Sequence, residues 1–168
     1  MVQHDFIKDE IERMGRAIGK LITLITGTEG GDLTPELRQS VIHQQLRKEL
    51  GTDPGDLLSL PRADLIRQLD ELNLQPAHLD QLAVFLTEWG HTETDTDVRA
   101  NLYRRAMLLY DLAGERSGVF YPARVAAGVE VRALLEAEIY GRGALRRATR
   151  RGSGRGCTTW LEWQRKWK

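Results

Sequence analysis

Along the first 26 residues the large apolar positions are Ile7, Ile11, Met14, Ile18, Leu21 and Ile25. Their spacings alternate between four and three, which is the heptad period of a helix with a narrow apolar seam. The pattern predicts one helix from about His4 to Thr26, with Phe6 and Ile22 widening the stripe. Gly15 and Gly19 lie beside it and would let another helix come close. The run GTEGGD from Gly27 to Asp32 reads as a flexible link.

The helical period recurs after the link. Thr34-Pro35-Glu36 has the form of a capped helix start, followed by Leu37, Val41, Ile42, Leu46 and Leu50 and a stop at Gly51. Asp53-Pro54-Gly55 reads as a turn. A third helix is predicted from Pro61, with Leu65, Ile66, Leu69 and Leu72, stopping near Asn73. A fourth opens at Pro76, carries Leu79, Leu82, Ala83, Leu86 and Trp89, and is expected to end at Gly90. After a polar loop over His91 to Asp97, a fifth carries Val98, Leu102, Ala106, Leu109 and Ala113 up to Gly114. A sixth opens at Pro122 with Val125, Val129, Ala133 and Leu134 and runs toward Tyr140. No strand competes. The expected fold is all-α: an amphipathic N-terminal helix followed by an antiparallel helical bundle with short loops.

Charge changes the picture at the C-terminal end. Residues 141–168 hold nine Lys/Arg and one acid, so the remainder of this neutral chain is acidic by eight charges. The stretch GRGALRRATRRGSGRGC is rich in Arg and Gly and poor in apolar residues, which predicts disorder. The expected organisation is therefore 1–30 as heptad helix and link, 31–140 as bundle, and 141–168 as basic tail. In the tail, Arg146, Arg147, Arg150 and Arg151 suit phosphate contacts, while Trp160, Trp163 and Trp167 recur at the spacing of one helical face. Such a segment would bind nucleic acid or an anionic membrane surface. The single cysteine, Cys157, excludes an internal disulfide. With no leader pattern and no apolar run of membrane-spanning length, a cytoplasmic location, in a bacterium-like cell, is expected.

Candidate chemistry is sparse. None of His4, His43, His78 and His91 stands at a metal-ligand spacing from another His, Cys or acid. Glu93-x-Asp95-x-Asp97 opens like a calcium loop but lacks its glycine and its closing glutamate; Asp95 or Asp97 is better read as the cap of the next helix. No phosphate loop, nucleophile elbow or dinucleotide fingerprint is present. No catalytic, metal or cofactor residue is assigned, and no small-molecule substrate is expected.

Residues 79–113 resemble one tetratricopeptide-like hairpin. Leu79, Leu82, Ala83 and Leu86 match its large-large-small-large helix, and Tyr103-x-x-Ala106 matches its aromatic and small pair. The connecting loop is longer than usual, Arg99 replaces a small residue, and no proline closes the repeat. More broadly, Asp5-Phe6-Ile7, Ile11-Glu12-x-Met14-x-Arg16, Lys20-Leu21 and the block from Leu102-Tyr103-x-x-Ala106 to Ser117-Gly118-x-Phe120 resemble an uncharacterised bacterial family of small helical proteins, a domain of unknown function. That resemblance covers residues 4–135 and implies a helical hairpin fold without catalytic residues. The function expected from the whole sequence is a non-enzymatic protein-interaction or oligomerising module. Its docking element would be the Ile7–Ile25 seam, and an adaptor acting through the basic tail is the alternative.

Overall fold

A computed structural model describes the backbone of residues 2–27, 34–51 and 53–151, and most side chains from Asp9 to Gly141. Among these residues the chain is all-α, with seven helices: α1 (Val2–Thr26), α2 (Pro35–Leu50), α3 (Pro54–Ser59), α4 (Arg62–Glu71), α5 (Pro76–Thr92), α6 (Thr96–Ser117) and α7 (Pro122–Arg151). The chain divides into two compact units, 1–135 and 136–168, and α7 contributes to both.

Local chemistry sets most helix ends. The Thr34 hydroxyl accepts the Leu37 N–H at 3.4 Å, and Gly51 closes α2 in the left-handed conformation. Asn73, at φ 52°, takes the same conformation after α4. The Asp95 carboxylate accepts the N–H groups of Asp97 and Val98 at 2.7 and 3.1 Å, capping α6 as expected. Asp53 accepts the Gly55 N–H at 2.8 Å. Asp53-Pro54-Gly55 therefore starts the short helix α3 instead of forming only a turn. The same three residue types suit an N-cap and a proline at the first helical position.

In the first unit, α5 and α6 form the central hairpin, joined by Glu93–Asp95. Leu79, Leu82, Ala83, Phe85 and Leu86 of α5 and Leu102, Ala106, Leu109 and Ala113 of α6 are buried in the core. Two glycines expected to end these helices do not. Helix α5 continues past Gly90, which is buried, because the position is needed for packing: a Cβ there would stand 2.4 Å from Cε1 of Tyr103. Helix α6 continues past Gly114 to a left-handed Gly118, whose N–H donates to the Gly114 carbonyl.

Helix α1 packs on α5, and α2 packs on α1. This overturns the reading of the N-terminal seam as a free docking stripe. Met14, Ile18, Leu21 and Ile25 are core residues, with Ala17 buried beside them. A heptad stripe has the same spacing whether a partner or the chain's own hairpin covers it, and here α5 supplies the cover. The side chains of Ile7 and Ile11, and the link beyond Gly27, lie outside the described residues. Gly15 faces His78 and Gln81, yet an added Cβ would meet them no closer than 3.7 Å; at Gly19 it would meet nothing within 4 Å. Neither glycine is needed for the approach of α1.

Polar side chains of α6 tie down the α3–α4 segment. Asn101 donates to the Leu58 carbonyl at 2.7 Å, and Arg105 to those of Leu58 and Leu60 at 3.1 and 2.6 Å. These carbonyls lie at the end of α3, where no next helical turn can satisfy them. Burial lowers the pKa of Arg105 from its ordinary value. Arg116 reaches the Asp70 carboxylate and the Leu74 carbonyl after α4.

The expected change to disordered chain at residue 141 does not occur there, since α7 runs on to Arg151. Ala144, Leu145, Arg146, Arg147 and Ala148 are strong helix formers, which offsets the cost of Gly141 and Gly143. Among the described residues no helix is long and apolar enough to cross a membrane.

A candidate docking face at the α6–α7 corner

Between Ser117 and Pro122 the chain turns from α6 into α7 through only four residues. Left-handed Gly118 (φ 61°) makes the corner, and Pro122 opens the next helix with its φ already suited to it. The corner side chains stand largely in solvent. Val119 is 68% exposed, Phe120 76% and Tyr121 56%. The patch continues along α7 through Val125 and Val129, which is 62% exposed.

The sequence pattern placed Val125 and Val129 on the core side of this helix. The structure keeps the expected Leu134 inward but joins it with Ala127, Val131 and Leu135, with Val131 only 2% exposed, and leaves Ala133 exposed. Helix α7 carries two apolar series about two residues out of phase, and periodicity alone does not say which one meets the hairpin. Selection comes from Arg124. Its Nε and Nη2 donate to the two carboxylate oxygens of Asp80 on α5 at 2.7 and 2.8 Å, and its Nη1 to the Ser117 hydroxyl at 2.9 Å. A fork-on-fork pair fixes both distance and rotation. The hydrogen bonds to Asp80 raise the guanidinium pKa further from its ordinary value. The same guanidinium lies 5.7 Å from the centre of the Tyr121 ring, holding that side chain beside the corner.

The patch surrounds two hollows. One, of about 370 Å³, is lined by Gly114, Gly118, Val119, Phe120, Tyr121, Arg124 and Val125. The other, of about 600 Å³, is a groove between α6 and α7. Met107, Tyr110, Asp111, Gly114 and Glu115 form one wall, and Arg124, Val125, Gly128, Val129 and Arg132 the other, with Arg62 at the rim. A Cβ on Gly114 or Gly128 would meet nothing within 4 Å, so the groove is open above both. Tyr110 is mostly buried at its edge. Burial, and then Asp80, Glu130 and Glu88, push its phenol up to about 12, so it is neutral at physiological pH.

The five exposed apolar side chains present on the order of 500 Å², at the upper end for the largest apolar patch of a soluble monomer. The arrangement offers an apolar ridge, a hollow and a charged rim, which are the parts of a protein-docking surface.

The other candidate residues are scattered. Of the seam, Met14, Ile18, Leu21 and Ile25 are in the core. Arg146, Arg147, Arg150 and Arg151 lie in the last turns of α7, where the helical period brings the four positions to one side. Trp160, Trp163 and Trp167 lie outside the described residues. His78 is buried, and its Nδ1 accepts the Gln75 N–H at 3.2 Å at the start of α5. His43 packs edge-on against Trp89, and His91 against Tyr103. Among the described residues no three His, Cys, Asp or Glu side chains gather as a metal site. Compared with known proteins, the chain matches no protein-family model, no curated protein and no solved structure.

Proposed function

We propose that this chain is a non-enzymatic interaction module whose docking surface is the α6–α7 corner and its groove. The observation that carries the reading is the exposure of Val119, Phe120, Tyr121, Val125 and Val129 as one patch around open hollows. Leaving such an apolar area in water forgoes roughly 25 cal/mol per Å², on the order of 10 kcal/mol in total before the costs of association, which covering by a protein would recover. The α5–α6 hairpin, which we read as tetratricopeptide-like from Gly90 under Tyr103 and the small Ala106, is the rigid support. The test is a photo-crosslinking residue at position 120 in the full chain, expressed in its own cells. A polypeptide that crosslinks there, binds as a purified protein, and is lost with Val129→Asp supports the proposal. Efficient labelling of no polypeptide would overturn it.

A second reading rests on the run of α7 through Arg151. It gathers positions 146, 147, 150 and 151 at one basic helix end, which suits a phosphate-bearing surface. Arg146→Glu with Arg150→Glu should then abolish binding to single-stranded RNA or to anionic vesicles. Unchanged binding, salt dependence included, rules this reading out.

A further inference from the structure

We infer that the occupant of the α6–α7 groove is a second copy of this chain, docked about a two-fold axis. This rests on the docking proposal and adds the identity of the partner. Two features of the groove point to self-pairing. The first is shape. The Val125–Val129 ridge and the hollow above Gly114 and Gly128 lie side by side on one face. A two-fold contact needs this juxtaposition, because each copy must supply both the projection and the recess that receives it.

The second is charge. Asp111 stands on the α6 wall and Arg132 on the α7 wall, and both are exposed. Among the described residues neither has an ion-pair or hydrogen-bond partner. The nearby Glu115 meets Arg62 only at 3.9 Å, with both side chains more than 60% exposed. One wall of the groove therefore offers an unmatched acid and the other an unmatched base. A two-fold docking sets Arg132 against the partner's Asp111, and Asp111 against the partner's Arg132. A single self-complementary pattern is thus satisfied twice, with the valine ridges between. The exposed apolar patch of on the order of 500 Å², extended by the groove walls, is the larger part of the roughly 800 Å² per partner that a stable interface buries.

The experiment is sedimentation equilibrium on the full chain, on Arg132→Asp, on Asp111→Arg, and on an equimolar mixture of the two variants. Wild type should show a concentration-dependent dimer. Each variant alone places two like-charge contacts in the interface and should dimerise at least about tenfold more weakly, with unchanged melting temperature. In the mixture every contact joins opposite charges again, so a one-to-one heterodimer should recover wild-type affinity. A wild type that is monomeric up to several hundred micromolar overturns the inference, as does a mixture no tighter than its separate components. The docking proposal is tested separately. If the chain is monomeric while a different polypeptide still crosslinks at position 120, self-pairing fails and the docking face stands. If neither occurs, both fail.

Discussion

Gly90 and Gly19 carry opposite consequences for the same substitution. At Gly90 an alanine methyl would overlap the Tyr103 ring edge, so Gly90→Ala should destabilise the protein by about 1–3 kcal/mol, read as a fall in melting temperature. At Gly19 the added methyl meets open space and only improves helix propensity, so Gly19→Ala should stabilise by up to about 1 kcal/mol. The sequence places Gly19 within a helix and Gly90 at the expected end of one; the structure has both inside helices, and the neighbour across the helix separates them. Two titrations belong to this scale. The phenol of Tyr110, raised to about 12, contributes stability that is complete below the ordinary phenol value of 10.0 and is lost as pH rises through the folded value. A spectrophotometric titration should show one phenol ionising well above the ordinary value of 10.0. Asp53 moves the other way. The Gly55 N–H, and then Arg47, hold its carboxyl below the ordinary 3.8, so its contribution is present above that value and lost as pH falls through the lower one. The Gly55 amide resonance should titrate with a midpoint below 3.8.

At the scale of elements, the helices were largely legible and their faces only partly so. Thr34-Pro35, Pro76 and Pro122 mark true starts, because proline and cap chemistry is local. The ends at Gly90 and Gly114 were misread, since a glycine can serve a close contact or an open groove as well as a terminus. For α1, the heptad spacing gave the apolar face correctly but not what covers it, because periodicity carries no address. Burial decides this: Ile18→Ala should cost about 2–5 kcal/mol of folding stability, as a core truncation does, in urea denaturation. A free docking stripe would leave folding stability nearly unchanged. For α7 the two apolar series could not be ranked from sequence, and the Asp80–Arg124 pair that ranks them joins residues 44 positions apart. Of the docking face, the sequence therefore shows only the Pro122 start and the apolar Val125 and Val129, not that they face solvent.

For the whole chain, zero net charge conceals an acidic body and a basic end. Salt should therefore act differently on different activities. Docking through the apolar corner should weaken only modestly as salt rises, through screening of the exposed Asp111 and Arg132 pairs, whereas any binding through Arg146 to Arg151 should weaken steeply. The four-residue corner has a further consequence, for proteolysis. It is the exposed, non-helical connection through which α7 continues from the hairpin, and it displays an aromatic pair to solvent. Pro122 blocks cutting after Tyr121 and leaves the bond after Phe120 as the natural point for an aromatic-specific protease. One cut there would sever α7 from the hairpin covalently while the Arg124–Asp80 fork and buried Val131 still held it. The nicked protein should then keep its helical signal but lose cooperativity on melting, and any occupant of the corner should slow the cut.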